Sequence, residues 1–269
     1  MSLGPPHSPD PGPVDDQRSR DALLGEASGL RAGRRFYRRV PSDPRCNLCN
    51  SPFAGPGGFV MRRIGKGPWP KNPRYCIACF KQLRDHRGGA EIECSFLFAD
   101  VRGSTTLAEG MRPGEFRALM QGFFETAAHV LFEYDGFLDK FVGDEVIAIF
   151  IPALAGELHA RRAVGAGRAL LTAVSGAGRG PAVPIGVGVH TGLAYVGTVG
   201  EGDEIDLTAM GDPVNVTARL AAAAGAGELL ATTIAAAAAG IDLTGVEHRQ
   251  LALKGKSEPT EVVVLGAAA

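Results

Sequence analysis

From Ile92 onward, strand-like and helix-like segments alternate in an order that few folds can accommodate. Residues 95–101 are a short apolar run typical of a buried strand, and residues 116–131 place apolar side chains at the spacing of one helical face. Residues 137–142 and 146–151 are two further apolar runs joined by Gly-Asp-Glu, which predicts a hairpin. This region therefore opens with a strand, a helix and a hairpin.

The same alternation continues to the end of the chain. A second helix is predicted over residues 157–174, and a third begins at Asp212-Pro213. The predicted strands of this half are residues 183–190, 193–199, 228–231, 248–253 and 261–265. The order β-α-β-β-α-β, with additions, predicts a ferredoxin-like α+β fold.

The net charge of −1 conceals three segments of different character. Residues 1–30 are rich in Pro, Ser, Gly and Asp and carry a net charge of −3, which predicts a disordered leader. Residues 31–87 carry 14 basic and 2 acidic side chains, whereas residues 88–269 carry 12 basic and 22 acidic ones. We therefore expect a basic module over residues 31–88 and an acidic domain over residues 89–269.

Two Cys-x-x-Cys pairs lie in the basic module, which has too few apolar residues for a core of its own. The pairs are separated by 26 residues and consist of Cys46, Cys49, Cys76 and Cys79. Four thiolates complete the tetrahedral coordination of one Zn²⁺, so the pattern predicts a zinc-ribbon-like module held by one structural zinc ion. The alternatives are a redox pair, which needs only one Cys-x-x-Cys, and two disulfides, which a reducing cytoplasm disfavours. Cys94 is predicted to be a small buried strand residue.

The basic module also interleaves aromatic and arginine side chains, in residues 34–39 (RRFYRR). This pattern suits a nucleic-acid interface, and it equally suits a basic surface that docks on the acidic domain or on a regulatory partner. No base-stacking motif or recognition helix is visible, which favours docking over nucleic acid. We therefore expect the basic module to dock on the acidic domain.

No uncharged apolar run reaches the roughly 18 residues of a membrane span. The longest candidate is residues 229–241. The Pro-rich start has neither the basic nor the apolar region of a secretory signal. We therefore expect a cytoplasmic protein without a membrane partner.

Two carboxylates are predicted to meet at one end of the sheet. Asp100 ends the first strand in residues 98–105 (FADVRGST), and Asp144 lies in the hairpin turn of residues 140–145 (KFVGDE). Backbone N–H groups of the small residues after Asp100 are able to bind phosphate. Two carboxylates beside such amides are what a pair of divalent ions on a triphosphate requires.

A third segment, residues 210–220 (MGDPVNVTARL), starts a helix with polar groups on one face. Asp212 is suited to cap this helix, and Pro213 is suited to its first turn. Asn215 and Arg219 are four residues apart, so the amide and the guanidinium point the same way. Both point away from the apolar side of the helix.

Taken in order, and with residues 188–192 (GVHTG) and 253–256 (LKGK), these segments resemble the catalytic domain of class III adenylyl cyclases over about residues 92–266. The resemblance implies two Mg²⁺ or Mn²⁺ ions bound by Asp100, the Val101 carbonyl and Asp144. The other implied roles are ribose orientation by Asn215, stabilisation of the transferring phosphoryl group by Arg219, and phosphate binding by Lys254 beside the amides of Gly103, Ser104 and Thr105.

Purine selection in this family depends on two positions, which here are Lys140 and Thr208. A lysine donates a hydrogen bond to adenine N1, whereas guanine presents a donor there, so Lys140 favours ATP. Thr208 stands where many members have Asp, and the pair resembles a Lys/Thr subgroup with some bicarbonate-responsive members. ATP preference is therefore implied, with its strictness left open.

The resemblance implies conversion of ATP to 3′,5′-cyclic AMP and pyrophosphate, for intracellular signalling. The ribose 3′-hydroxyl attacks the α-phosphorus, and the sequence shows no obvious protein general base. In the family, two catalytic domains share each site: one contributes the metals and the base pocket, the other the Asn and the Arg. This chain holds both sets, so a head-to-tail homodimer is implied.

Three alternatives stay open at the level of the sequence. A diguanylate cyclase has a similar hairpin, but residues 141–145 (FVGDE) carry one Gly rather than two and that family lacks the Asn215/Arg219 helix. A cyclase-like binding module is disfavoured, because no metal or transition-state position is missing. A zinc-dependent nucleic-acid protein would show steep salt dependence of binding. His190 is predicted to be structural.

Overall fold

The structure is a computed structural model that describes residues 16–37, 39–40, 44–70, 72–85, 88–176, 180–199, 206–254, 256 and 258–266. Within these residues, no helix combines the length and the apolar character that crossing a bilayer requires. The chain divides into two compact units, Met1–Ile92 with Tyr195–Thr208, and Glu93–Ala194 with Ala209–Ala269. The sequence pattern does not predict that residues 195–208 belong with the first unit.

The first unit contains short helices and a two-stranded sheet. Its elements up to residue 85 are α1 (Gln17–Leu23), α2 (Ser28–Tyr37), α3 (Gly55–Arg63), β1 (Pro68–Trp69), β2 (Asn72–Cys76) and α4 (Ile77–Asp85). Strands β1 and β2 pair antiparallel. The rings of Trp69 and Phe80 stack with their centroids 3.7 Å apart, which joins β1 to α4. This stack adds to a small set of buried side chains that includes Leu48, Phe53 and Tyr75.

Part of the predicted disordered leader is helical, so that prediction is wrong for residues 16–30. Asp16 caps α1, because its carboxylate accepts hydrogen bonds from two backbone N–H groups at the start of the helix. Leu23 and Leu30 are buried. These two leucines have few apolar neighbours in the sequence, so the segment does not show the regular spacing of apolar residues that predicts a helix. Residues 1–15 lie outside the described residues.

The remaining elements follow in chain order, and strands β3, β6 and β7 contain residues of both units. They are β3 (Gly89–Val101), α5 (Ser104–Gly110), α6 (Pro113–Glu133), β4 (Phe137–Val142), β5 (Glu145–Phe150), α7 (Pro152–Ala155), α8 (His159–Ala173), β6 (Ile185–Val199), β7 (Asp206–Met210), α9 (Asp212–Ala223), β8 (Leu229–Thr232), α10 (Thr233–Ala238), β9 (Glu247–Leu251) and β10 (Thr260–Leu265).

An eight-stranded sheet carries these elements in the order β4-β5-β3-β6-β8-β10-β9, with β7 paired to β6. Strand β5 is antiparallel to both β3 and β4, and β6 is parallel to β8. The predicted β-α-β-β-α-β order, and with it the fold class, is confirmed. The predicted strands 183–190 and 193–199 are instead one continuous strand, β6. Gly192 between them does not adopt the positive φ of a tight turn.

Helices cover both faces of the sheet in the second unit. Helices α6, α8 and α10 enclose a large apolar cluster with one face, and α9 forms a smaller cluster with the other. Helix α9 approaches β6 so closely that a Cβ on Gly188 would lie 2.5 Å from the Ala221 backbone nitrogen. A Cβ on Gly186 would lie 2.7 Å from the Ala224 carbonyl oxygen. Two glycines therefore set the depth at which α9 sits on the sheet.

Candidate active site and candidate metal centre

The corner formed by β3, β4 and β5 contains three of the predicted site residues: Asp100 on β3, Lys140 on β4, and Asp144 in the turn between β4 and β5. Asp100 near the end of β3 pairs with Glu145, the residue that follows Asp144 in the hairpin. Lys140 pairs with Ile147, two residues further along β5. At about 3.4 Å per residue, Lys140 therefore lies about 7 Å along the hairpin from the row that holds Asp100.

The sequence motifs do not single out Arg102, whose guanidinium contacts the Asp100 carboxylate. The same guanidinium donates to the Ala222 carbonyl oxygen at 2.9 Å, near the end of α9. Residues two apart in an extended segment share a face, so the Asp100/Arg102 spacing was the available signal. Arg102 thus connects the first predicted metal ligand to the helix that carries Asn215 and Arg219.

Glu145 is a second residue that the motifs did not assign. It is half-buried, and burial raises the pKa of its carboxyl group. The neighbouring Asp144 charge raises this pKa further, while Arg102 opposes the shift. The corner therefore concentrates more negative charge than Arg102 neutralises, which suits a divalent cation bound by oxygen ligands.

The predicted phosphate-binding residues form the start of a helix rather than an open loop. Gly103 adopts the left-handed conformation, with φ 68°, and precedes α5. Ser104 and Thr105 are the first helical residues, and the first N–H groups of a helix have no intrahelical acceptor. These amides follow directly after Asp100 and Val101 in the chain.

The two predicted purine-selecting residues belong to different units. The Lys140 side chain is 41% exposed, and its Nζ lies 3.5 Å from the carboxylate of Asp139, which is nearly buried. This contact holds the ammonium group at the edge of the hairpin. Thr208 lies on β7 in the first unit and is half-buried.

Helix α9 presents the predicted amide and guanidinium together. Asn215 is exposed and Arg219 is half-buried, whereas Pro213, Val216 and Leu220 are buried. Neither the Asn215 amide nor the Arg219 guanidinium forms a hydrogen bond or an ion pair with a described residue. Both polar groups are therefore available to a ligand.

The segment with Lys254 is connected to the start of the same helix. Leu253 is buried in the apolar cluster beneath α9, and Lys254 is exposed. The Lys256 ammonium contacts the carboxylate of Asp212, the first residue of α9. Lys256 was not assigned a role from the sequence, and this ion pair joins the Lys254 segment to the helix.

The prediction that His190 is structural agrees with its surroundings. It is buried, and its Nδ1 lies 2.8 Å from the Thr232 hydroxyl. That hydroxyl in turn accepts a hydrogen bond from the Ala235 backbone N–H and caps α10. Burial lowers the pKa of His190 to about 4, so the ring is neutral at pH 7.

The four cysteines of the first unit form a candidate metal centre. All four are buried, and their Sγ atoms lie within 4.8 Å of one another. Backbone N–H groups also point at the sulfurs, from Cys76 to the Cys46 Sγ (3.2 Å) and from Cys79 to the Cys76 Sγ (3.4 Å). The pKa of Cys46 is strongly lowered because the other three thiols hydrogen-bond to its sulfur. Four convergent sulfurs are the donor set of structural zinc.

Cys94 does not take part in this centre. It is fully buried in β3, as predicted, and burial raises the pKa of its thiol to about 12. The thiol therefore stays protonated and unreactive near neutral pH.

Comparison with known proteins identifies the second region of the chain. The sequence profile described as Adenylate and Guanylate cyclase catalytic domain matches residues 90–266. A curated relative, "Adenylate cyclase 1" of Rhizobium meliloti, is 35% identical over 144 residues, which are 50% of this chain and 22% of the relative. The chain thus spans less than a quarter of that relative's length.

Solved structures show the same fold. The guanylyl cyclase Cya2 has a TM-score of 0.61 and 26% sequence identity, and the match covers 67% of this chain and 95% of that one. The adenylyl cyclase CyaB from P. aeruginosa has a TM-score of 0.58 and 27% identity, and the match covers 67% and 97%.

Proposed function

The chain belongs to the adenylate and guanylate cyclase catalytic domain family, and we propose that it converts ATP to 3′,5′-cyclic AMP and pyrophosphate. The observation that carries the proposal is the pairing of Asp100 with Glu145, which brings the end of β3 to the turn containing Asp144. Lys140, on the same hairpin, supports adenine as the base. The adenylate cyclase relative supports the same product.

Two divalent ions fit the oxygen-rich corner in this proposal. Asp100, the Val101 carbonyl and Asp144 would hold them, and the carboxylate of Glu145 lies beside Asp144 in the same hairpin. Bound Mg²⁺ or Mn²⁺ would supply activation of the ribose 3′-hydroxyl and neutralise phosphate charge. Arg102, which contacts Asp100, orients this carboxylate from the side of α9.

The remaining residues bind and orient the nucleotide. The Lys140 ammonium donates to adenine N1, and the amides at the start of α5 bind phosphate oxygens. Asn215 holds the ribose, so that its 3′-oxygen faces the α-phosphorus. Arg219 stabilises the charge that develops on the transferring phosphoryl group, and Lys254 stabilises the departing pyrophosphate. The role of Thr208 in purine selection stays a prediction.

We also propose that the active form is a head-to-tail homodimer. Asn215 and Arg219 have no partner among the described residues, although both are held on a helix seated firmly on the sheet. Such groups suit a site that is completed by the metal-binding corner of a second copy. Each dimer would then contain two equivalent sites.

One structural Zn²⁺ in the Cys46/Cys49/Cys76/Cys79 centre completes the proposal. A small unit with few buried apolar side chains gains folding free energy from such an ion. Docking of the basic module on an acidic partner stays a prediction, as does a cytoplasmic location.

Product analysis tests the catalytic proposal. Purified full-length protein is incubated with ATP or GTP and with Mg²⁺ or Mn²⁺, and the products are separated chromatographically. We expect cyclic AMP from ATP, and we expect Asp144→Ala to lower its formation by about 10²-fold or more. Glu157→Ala, an exposed acidic residue that has no assigned role, is the matched control. Cyclic GMP or a cyclic dinucleotide as the main product would contradict the proposal.

Lys140→Glu tests the base assignment. A glutamate accepts from the guanine N1–H group, so the ratio of GTP to ATP turnover should rise in this variant. An unchanged ratio would remove Lys140 from the base pocket.

Mixing two inactive variants tests the shared site. Asp144→Ala and Arg219→Ala each damage both sites of their own homodimer, whereas a mixed dimer has one intact site and one doubly damaged site. Random exchange should therefore restore about a quarter of the wild-type activity. No recovery after confirmed subunit exchange would contradict the head-to-tail arrangement.

A further inference from the structure

A cavity of about 590 Å³ lies in the second unit, away from the residues assigned to the nucleotide. It opens between the end of α6, the start of α8 and the segment after α10. Its apolar wall includes Tyr134, Leu158 and Ile241. Three arginines of α8 also line it: Arg161, Arg162 and Arg168. The volume is in the range of small-molecule sites, about 300–1,000 Å³.

The three guanidinium groups differ in how they are neutralised. Arg162 pairs with Asp135, at the turn before β4. The guanidinium groups of Arg161 and Arg168 make no hydrogen bond or ion pair with a described residue. The Nε of Arg168 is in addition buried without a partner. A buried donor without a partner is energetically unfavourable, and an anionic acceptor in the cavity would remove that cost.

Two carboxylates face the same cavity. Glu133 lies 3.5 Å from the His129 ring, and Asp242 accepts a hydrogen bond from the Thr244 backbone N–H at 2.9 Å. That hydrogen bond lowers the pKa of Asp242, so its carboxylate is ionised near neutral pH. The cavity thus offers unpaired cations and carboxylate acceptors together.

From this arrangement we propose that the cavity binds an organic phosphate with hydroxyl groups, of sugar-phosphate to mononucleotide size. The phosphate oxygens accept hydrogen bonds from the guanidinium groups of Arg161 and Arg168, because one guanidinium is able to bind two oxygens of a phosphate at once. The hydroxyl groups donate to Asp242 and Glu133, and the carbon skeleton packs on the apolar wall. The proposal does not depend on the cyclase reaction.

Calorimetric titration of the full-length protein with ribose 5-phosphate, without added divalent ions, tests the proposal. We expect one molecule bound per chain. Arg161→Gln/Arg168→Gln should raise the dissociation constant at least about tenfold. The control Arg63→Gln/Arg117→Gln removes the same charge from exposed positions outside the cavity and should bind as the wild type does. Melting curves of both double variants check that they are folded.

Three results would overturn the proposal. The first is no binding up to about 1 mM ribose 5-phosphate, a threshold that corresponds to about −4 kcal/mol. The second is equal weakening in both double variants, which would show an effect of overall charge alone. The third is equal affinity for inorganic phosphate, since that ion cannot use the apolar wall or the carboxylates.

Discussion

Replacement of Gly188 by alanine tests how closely α9 packs against β6. The added Cβ would lie 2.5 Å from the Ala221 nitrogen and 2.6 Å from the Thr217 carbonyl oxygen, both backbone atoms of α9. Ordinary contacts begin at 3.4 Å, so the helix must move outward by about 0.9 Å. Backbone atoms cannot rotate away as a flexible side chain would.

Two effects follow from that displacement. Overpacking of a well-filled contact costs about 1–3 kcal/mol, and a domain of this size loses about 2–4 °C of melting temperature per kcal/mol. Because α9 carries Asn215 and Arg219, a shift of about 1 Å should also reduce kcat by up to about 10²-fold. The KM for ATP should change less, since Lys140 lies on the other side of β3 from β6.

Calorimetry and a cyclic AMP assay measure the two effects on the same preparation. Gly114→Ala is the matched control: its added Cβ meets no atom within 4 Å, and it lies in the first turn of α6. An unchanged melting temperature in Gly188→Ala would refute the close seating of α9. A lowered melting temperature with unchanged kcat would refute the link between that seating and catalysis.

Two further predictions concern the zinc centre and pH. Cys76→Ser should lose the one zinc ion per chain, measured by elemental analysis, and the cooperative melting of the first unit, measured by calorimetry. Cys94→Ala is the control and should keep both. Zinc retained in Cys76→Ser would contradict the four-sulfur centre. His190 should make stability pH-dependent: its folded pKa of about 4 lies below the ordinary 6.5, so unfolded chains bind more protons between these values. The contribution of His190 to the free energy of unfolding is therefore complete above about pH 6.5. It falls by up to about 3 kcal/mol as the pH is lowered towards 4. Asp212 raises this pKa and Lys256 lowers it, and both effects are smaller than that of burial. His190→Gln should flatten the slope of denaturation free energy against pH, and an unaltered slope would contradict this role.

The elements of the second unit could be predicted from the sequence because their apolar periods are long and regular. The helix predicted over residues 116–131 is α6, and the hairpin of β4 and β5 lies where the Gly-Asp-Glu turn indicated. The helix of the first unit at Gln17–Leu23 was missed, because one buried leucine and a capping aspartate do not make a period. Local patterns report long elements better than short ones.

The prediction that β6 is interrupted at Thr191-Gly192 is wrong for a different reason. Thr191-Gly192 has the composition of a turn, but the strand continues through it to Val199. Thr191 is buried, and its hydroxyl lies 2.7 Å from that of Ser95, which also contacts the His159 ring. A hydrogen-bond network within the unit thus overrides the local turn preference.

The sequence by itself determined the residue types at the chemical positions and their order along the chain. Asp100, Asp144 and the Asn215/Arg219 pair stand in motifs that resemble the cyclase family, and the resemblance implies their roles; the spacing of four residues places Asn215 and Arg219 on one side of a helix. The Cys-x-x-Cys pairs likewise predicted a four-sulfur centre, and the four sulfurs converge in the structure.

Only the tertiary structure decided which groups face one another. The hydrogen bond from Arg102 to the Ala222 carbonyl oxygen, the ion pair of Lys256 with Asp212 and the arginine-lined cavity all join segments whose relation depends on strand register and helix packing. The sequence does not show that Gly186 and Gly188 lack room for a side chain, whereas in the structure an added Cβ would lie only 2.5–2.7 Å from backbone atoms of residues 221 and 224. Local sequence sets the direction of a side chain relative to its own backbone, whereas its partners depend on distant residues that the fold brings into contact.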